Sequence, residues 1–571
     1  RQRVHAVLER HSVTIALRAV AARKRRRRSR SAMDGLRARS PSVAARAFER
    51  SDGRDDATSS GTIEFALFEC KRITRGNAAM QRARASASSA VVDDYVAYLG
   101  GAVWTMDWLA RAKTADAREG EGGGWLAAAA RGAGHHAHAV RDVGACRGTG
   151  MVQVWRVETG GGANGTVMVK GLTHAGGCAL DVKWSPTMEF LGDRATDDAV
   201  GALAVSSGDG EVKVCVVEVT KGGENGVVEE AKAEFVGVVP KEYGAPWRLD
   251  WNAVVPGRLA AGCTSGRVVV WDIDEKSLGG APTYPKFVVA AAAQAGPCRA
   301  VRWPPREFAE DESVCANIIA CGNDYAVKPQ LFDLRAPFAP IGDAYERGQP
   351  WTLDMAWLPR GTLVVGFETS DRSSGKKKGA TKMLVQQFDL TANASDDGAR
   401  PSTQHAVPGR GSPWSVDARA SSDPTSAAAM VACASSNGVI CVSPMRYVSR
   451  TIKSRPDVFD TCAGMLAYDA ATNRVADANP VTPPECFDFI TSSEQVSLKG
   501  GTDLFPADRA AMPGTRETPT TAQHCVRWSK DESGGWWLAS AGEAGFLRLQ
   551  RFDGKWVEDK IAKLERAHRG D

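Results

Sequence analysis

Residues 246–274, PWRLDWNAVVPGRLAAGCTSGRVVVWDID, hold three short apolar runs separated by turn residues. In PWRLDW, Trp247, Leu249 and Trp251 alternate with Arg248 and Asp250, the period-two pattern of a strand with one strongly buried face. Asn252 to Gly257 supplies Asn, Pro and Gly for a turn. RLAAGC then reads as a narrow buried strand, Thr264-Ser265-Gly266 as a hairpin turn, and RVVVWD as a second apolar strand closing on Trp271-Asp272.

The same plan recurs along the chain. First strands read VWTMDW (Val103 to Trp108), CALDVKW (Cys178 to Trp184), PWRLDW, PCRAVRW (Pro297 to Trp303), PWTLDMAW (Pro350 to Trp357), PWSVDA (Pro413 to Ala418) and HCVRW (His524 to Trp528). Each is followed by a small-residue strand, a tight turn and another apolar strand, and seven such hairpin units predict an all-β, seven-bladed WD40-type β-propeller. Ser207-Gly208-Asp209-Gly210, Asn323-Asp324, Ser436-Asn437-Gly438 and Gly542-Glu543-Ala544-Gly545 fall where hairpin loops need positive φ. Closing the ring hides sheet edges that a linear array would expose, and Tyr95 to Leu99 is a candidate outer strand for the last blade.

The repeated tryptophans Trp104, Trp108, Trp184, Trp251, Trp271, Trp303, Trp357 and Trp528 read as blade core, not as a stacking platform for nucleic-acid bases. Asp107, Asp181, Asp250, Asp354 and Asp417 each stand three residues after the Trp or Cys that opens a first strand. They are predicted to accept hydrogen bonds from nearby backbone or indole N–H groups, because carboxylates spread around a ring do not converge on one reaction centre. Separations of 76, 67, 52 and 54 residues between Trp108, Trp184, Trp251, Trp303 and Trp357 exceed the roughly 40 to 45 of a minimal repeat. Insertions are therefore expected at Ala110 to Gly124, Ala130 to Gly150, Gly192 to Val200, around Lys376-Lys377-Lys378, and over the long 447–523 excursion.

The net charge of +5 is unevenly distributed: residues 1–90 hold 21 Lys and Arg against 8 Asp and Glu, so the remainder is net −8. The three parts expected are a basic, largely disordered arm over 1–92, a propeller over 93–555 and a charged C-terminal tail over 556–571. The arm's densest cluster, Arg23, Lys24, Arg25, Arg26, Arg27, Arg28 and Arg30, suits an import receptor or nucleic-acid phosphates, and a solvated tail with no partner has the same composition. The chain opens on Arg1, with its first methionine at Met33, so a start at Met33 would remove that cluster. Thirteen singly placed cysteines read as buried free thiols, which suggests a reducing compartment, and no apolar run of membrane-spanning length or secretory signal is evident.

No GxSxG, phosphate loop, dinucleotide fingerprint or zinc-ribbon cysteine pairing occurs, so an enzyme and a cofactor are not expected. His135-His136-Ala137-His138 with Cys146 is the best metal candidate, and adjacent histidines on extended chain point to opposite faces, which argues against it.

LGGAVWTMDW, WLAAAARGAGHHAH followed by GTGMVQVWRVE, then CALDVKWSP and PWRLDWN, together resemble the WD-repeat subunit of general transcription factor IIIC, the second-largest subunit in animals. The likeness rests on a glycine-preceded first Trp strand at Gly100 to Trp108, a His-containing insertion before Gly-x-x-Gln-x-Trp at His135 to Trp155, and the strand start at Asp181 to Pro186. It covers roughly residues 95–275. The resemblance implies a non-enzymatic nuclear scaffold that pairs with the largest subunit of the complex recognising internal promoters of tRNA and 5S RNA genes. Promoter DNA would be met mostly indirectly or through the arm, with no membrane and no small-molecule substrate. The alternative is a general WD40 adaptor in chromatin or ribosome assembly that takes histone tails or peptides at the ring's mouth.

Overall fold

A computed structural model describes residues 43–48, 62–65, 67–72, 91–110, 123–131, 149–158, 166–196, 198–219, 225–289, 296–306, 311–323, 329–343, 352–359, 361–367, 385–389, 401–406, 412–421, 423, 426–436, 438–446, 457–458, 461–468, 486–493, 522–530 and 535–569. They form an all-β propeller arrangement. Seven sheets follow one another along the chain, each opening on one of the repeated strands: Val103–Trp108, Ala179–Trp184, Pro246–Trp251, Cys298–Arg302, Thr352–Leu358, Pro413–Ala420 and Gln523–Trp528. These are called sheets 1 to 7 below. Each first strand lies beside the first strand of the next sheet, and that of sheet 7 lies beside that of sheet 1.

The apolar core is divided accordingly into clusters between neighbouring sheets. Trp251, Phe190, Phe235 and Trp271 are buried between sheets 2 and 3, and Trp184, Leu203, Val154 and Val217 between sheets 1 and 2. Trp303, Ile319 and Phe332 fill sheets 3 and 4, and Trp528, Leu538 and Met430 fill sheets 6 and 7. A strand two-faced in this way must be apolar on both sides, which is why RLAAGC at Arg258–Cys263 is buried at every position.

In sheet 3 the hairpin read from the sequence forms as expected: Arg258–Cys263 pairs antiparallel with Pro246–Trp251 on one side and Val268–Asp272 on the other. Gly266 takes φ +89° in its turn, a conformation open to glycine. Asp272 receives the Arg258 guanidinium on both oxygens, at 2.6 and 2.9 Å, so the Trp-Asp ending clamps its own hairpin. The Trp271 indole donates to the Thr283 carbonyl at 3.2 Å.

Val91–Tyr98, preceding the first repeat, is the outer strand of sheet 7 and pairs antiparallel with Phe546–Phe552. This matches the expectation for Tyr95 to Leu99. Asp94 takes both arms of Arg548 at 2.9 and 2.5 Å, and Asp93 sits among Arg551 and Arg72. At the corner Leu99 N–H donates to Gly545 O at 2.8 Å, and Gly545, at φ +78°, lies so close to the backbone of Gly101 that a side chain would collide with it.

The insertions do something that periodicity does not reveal. Val227–Glu230, between the third and fourth strands of sheet 2, pairs parallel with the outer strand Thr166–His174 of sheet 1. Pro282–Thr283 in sheet 3 does the same to Ala233–Val238 of sheet 2, and Asp457–Val458 from the 447–523 excursion to Pro401–Ala406 of sheet 5. The same excursion supplies Thr461–Tyr468 and Cys486–Ser493 to sheet 6.

The arm expected to be largely disordered over 1–92 enters this scheme. Val43–Phe48 pairs parallel with Cys486–Ser493, Thr62–Phe65 pairs with Val43–Phe48, and Cys70–Arg72 borders Val91–Tyr98. The partner of Val43–Phe48 lies more than four hundred residues away, so no local signal marks it. The charged stretch expected as a tail from residue 556 is a helix, Gly554–Arg569, whose Val557 and Ile561 are buried with Trp528 and Phe552 between sheets 6 and 7. Its Glu565 accepts from Ser426 Oγ at 2.6 Å.

Candidate functional site

Around the axis the first strands are joined by their aspartates. Asp107 accepts Trp184 N–H at 3.0 Å, Asp181 accepts Leu249 N–H at 2.8 Å, and Asp250 accepts Trp303 N–H at 2.7 Å. Asp354 accepts Val416 N–H at 3.3 Å and Asp417 accepts Trp528 N–H at 2.7 Å. All five therefore fill the acceptor role read from their spacing, each reaching the backbone of the following sheet. The indoles bind in the opposite sense: Trp108 Nε1 donates to Arg527 O at 3.0 Å, Trp251 Nε1 to Lys183 O at 3.1 Å and Trp303 Nε1 to Asp250 O at 3.2 Å.

The residue before the closing tryptophan is Asp107, Lys183, Asp250, Arg302 or Arg527 in sheets 1, 2, 3, 4 and 7, so its sign alternates through the first four. Lys183 Nζ lies 3.3 Å from Asp107, and Lys530 reaches the same carboxylate at 3.5 Å. Arg302 donates to Asp354 at 2.7 Å, and Arg527 crosses past sheet 6 to the other Asp354 oxygen at 3.2 Å while also donating to Ser415 Oγ at 2.8 Å. The middle of the axis is thus crossed by ion pairs.

These pairs set the protonation states. Burial alone would raise Asp354, but the guanidiniums of Arg302, Arg527 and Arg248 hold it well below the usual carboxylate range. Asp107 is likewise held down, against burial, by Lys183 and Lys530. Burial prevails at Asp250 and Asp417, which are raised against the pull of Arg302 and Arg527 respectively. Asp107, with Asp417 and Asp250 behind it, raises Lys530. Carboxylates engaged in this way lock neighbouring strands together.

The opposite end of the axis differs. Every first strand carries a register irregularity near its start, which leaves Trp104, Leu180, Trp247, Arg299, Leu353, Trp414 and His524 as the extra residues of sheets 1 to 7. Bulges re-aim side chains, and here they assemble a rim. His524 stacks on Trp104 with ring centres 4.0 Å apart, and Trp414 stands edge-on to both at 5.5 and 5.6 Å. Arg131 lies over Trp104 at 4.7 Å and Arg299 over Trp247 at 5.1 Å. Arg248 donates from Nε to Arg299 O at 3.2 Å.

His524 Nε2 lies 3.0 Å from Glu543, while Nδ1 is buried without a hydrogen-bond partner among the described residues. Burial lowers the His524 pKa, with Glu543 opposing and Arg131 and Arg248 adding to the decrease. A neutral ring that donates to Glu543 from Nε2 leaves Nδ1 as an acceptor. Trp414 Nε1 is also buried and unpaired.

Neither a protein-family model nor a curated protein matches the chain. Of the tryptophans assigned to blade core, Trp108, Trp184, Trp251, Trp271, Trp303 and Trp528 are buried as expected. Trp104 is half-buried and belongs to the rim, and Trp357 is half-buried beside the Arg302 carbonyl. The basic cluster Arg23, Lys24, Arg25, Arg26, Arg27, Arg28 and Arg30, the histidines His135, His136 and His138, Cys146, and Lys376-Lys377-Lys378 lie outside the described residues.

Sequence reasoning missed the cations of the axis, Lys183, Arg302 and Arg527, although each stands directly before a closing tryptophan. It also missed the rim, whose signal was the bulky residue near each strand start. Ten cysteines among the described residues are free thiols, and burial pushes Cys215 and Cys433 up to about 12. Among the described residues no set of three His, Cys, Asp or Glu side chains is grouped to hold a metal ion, and no helix is long and apolar enough to cross a membrane.

Proposed function

We propose that this protein is a non-enzymatic scaffold, a seven-bladed WD40-type propeller acting as a subunit of the transcription factor IIIC complex. The observation that carries the scaffold reading is the engagement of Asp107, Asp181, Asp250, Asp354 and Asp417 in bonds between successive first strands. Acidic groups that a hydrolase or transferase would deploy are here spent on closing the ring. The seven-blade count is supported by the circular succession of first strands. The order of motifs over residues 95–275 supports the particular complex, with the largest subunit as chief partner and the nucleus as the compartment.

A body of net charge −8 is a poor ligand for duplex DNA, since phosphate neutralisation dominates such binding. DNA contact on this reading belongs to the partners or to the arm with Arg23 to Arg30. Tagged full-length protein purified from nuclear extract is expected to bring down the largest subunit of the factor, and a chain lacking residues 1–32 to retain that subunit while losing co-purified promoter DNA. Recovery of an unrelated complex would overturn the assignment.

The adaptor reading for histone tails calls for an acidic, pocketed mouth. The rim instead carries Arg131 over Trp104 and Arg299 over Trp247, a chemistry of the opposite sign.

A further inference from the structure

The outer edges of the seven sheets are not treated alike. Those of sheets 1, 2 and 5 are covered by Val227–Glu230, Pro282–Thr283 and Asp457–Val458, each lying in the connection between the third and fourth strands of the following sheet. Those connections, from Glu218 to Ala233, Asp272 to Phe287 and Arg446 to Thr461, are of equal length. In sheet 4 the same connection runs only from Asp333 to Pro340 and turns at once, Ala336 N–H donating to Asp333 O at 2.9 Å. It is too short to return a strand to sheet 3. The outer strand of sheet 3, Phe287–Val289, therefore has one neighbour among the described residues, Val268–Asp272, and its alternate backbone groups point away from it.

Large apolar side chains gather at this place. Four are exposed among the described residues, and three of them are Tyr284, just before that strand, Phe338, on the short connection, and Ile341, on the outer strand Pro340–Asp343 of sheet 4, at 69, 86 and 56 %. Exposed apolar groups beside an open sheet edge suit a partner that adds a strand. The edge also carries a surplus of positive charge. Lys286 Nζ and the Arg258 guanidinium both bind Asp272 at 2.6 Å, and both lie over the Phe287 ring, at 5.4 and 5.6 Å, so two cations share one carboxylate. The covered edge of sheet 1 shows what such a cation takes: Lys170 of its outer strand pairs at 2.8 Å with Glu229 of the covering segment Val227–Glu230.

We infer that the outer edge of sheet 3 is a docking site for an extended, apolar and acidic segment of a partner protein. The segment adds to Phe287–Val289 as a parallel strand, as the covering segments of sheets 1, 2 and 5 do, with a carboxylate on Lys286 and apolar side chains against Tyr284 and Phe338. The site rests on the geometry of the ring and is independent of the assignment to a transcription complex.

The test is fluorescence anisotropy of a fluorescein-labelled peptide with the sequence of residues 226–231, Gly-Val-Val-Glu-Glu-Ala, titrated with full-length protein at low salt. Saturable binding is expected, about tenfold weaker when both glutamates of the peptide are replaced by lysine. K286E is expected to weaken binding of the acidic peptide about fivefold or more, and F338S about threefold; both side chains are exposed, so the fold should survive. K555Q, at an exposed lysine of the helix Gly554–Arg569, should bind as the parent does. The bound peptide should slow amide exchange at 286–289 and leave 170–173 unchanged, which separates docking on sheet 3 from displacement of the chain's own segment on sheet 1. Absence of saturable binding, equal affinity for the two peptides, or protection confined to 170–173 would each overturn the proposal. So would a dimer of this chain, seen in sedimentation and lost in K286E, which would give the edge to a second copy.

Discussion

The inner and outer circumferences of this ring are joined by different means. At the inner one, neighbouring strands are coupled through side chains: an aspartate of one sheet holds a backbone N–H of the next, and an indole reaches back to a carbonyl of the one before. At the outer one, segments are coupled through backbone ladders, as Val227–Glu230, Pro282–Thr283, Asp457–Val458 and Val43–Phe48 each add a parallel strand to the edge of another segment, with the Lys170–Glu229 ion pair at 2.8 Å beside the first of them. Side-chain couplings demand particular residues at particular places. Backbone couplings demand only extended chain of sufficient reach, and they tolerate almost any sequence while covering edges that would otherwise recruit other chains.

The sharpest way to break the comparison is at Asp354, where carboxylate, two guanidiniums and Ser415 meet. Asp354→Ala leaves Arg302 and Arg527 buried without their counter-charge, and a loss of about 3–5 kcal/mol is expected in chemical denaturation. A loss below about 1 kcal/mol would show that the axis is not what holds the circle together.

Acid should separate the two circumferences. His174, at the end of the outer strand Thr166–His174, is buried with both ring nitrogens unpaired, and burial lowers its pKa to about 4 despite the opposing pull of Asp209. The unfolded chain, with an ordinary value near 6.5, takes up the proton first as pH falls. Stability is therefore lost between about pH 6.5 and 4, by about 2 kcal/mol from pH 7 to pH 5. Asp354 has the opposite kind of shift, so its contribution is present above about pH 4 and is lost only as pH falls below the ordinary carboxylate value. Melting curves of the parent and of His174→Gln at pH 7 and pH 5 check this: the variant should lose most of the difference between the two pH values.

The smallest effect is expected from Val228→Pro, which removes one N–H from the parallel strand Val227–Glu230. Amide exchange should quicken at 170–173 and 227–230, stay unchanged at 103–108, and the global stability should shift by less than about 1 kcal/mol. Loss of protection at the first strands would mean that the outer stitches also support the inner circle.

The contrast also explains what could be read in advance. PWRLDW and its relatives advertise themselves because a first strand is squeezed between two neighbours and needs Trp on one side and Asp on the other. The acceptor role of the five aspartates followed from spacing alone. Trp104 reads as core because tryptophans recur at equivalent positions of the repeated strands, yet a bulge between Val103 and Thr105 places it on the rim against His524. A one-residue change of register moves a side chain from one environment to another, and nothing in the local pattern announces it.

Periodicity and repetition, then, were enough to determine the strand type, the hairpin turns, the buried tryptophans and the carboxylate links, because each of these is enforced by residues near one another in sequence. The pairing of Val43–Phe48 with Cys486–Ser493, the docking of helix Gly554–Arg569 between sheets 6 and 7, and the meeting of Trp104, Trp414 and His524 were decided only by closure of the ring. Closure brings together residues hundreds of positions apart through backbone hydrogen bonds and shared geometry, and neither leaves a residue-specific mark in the chain.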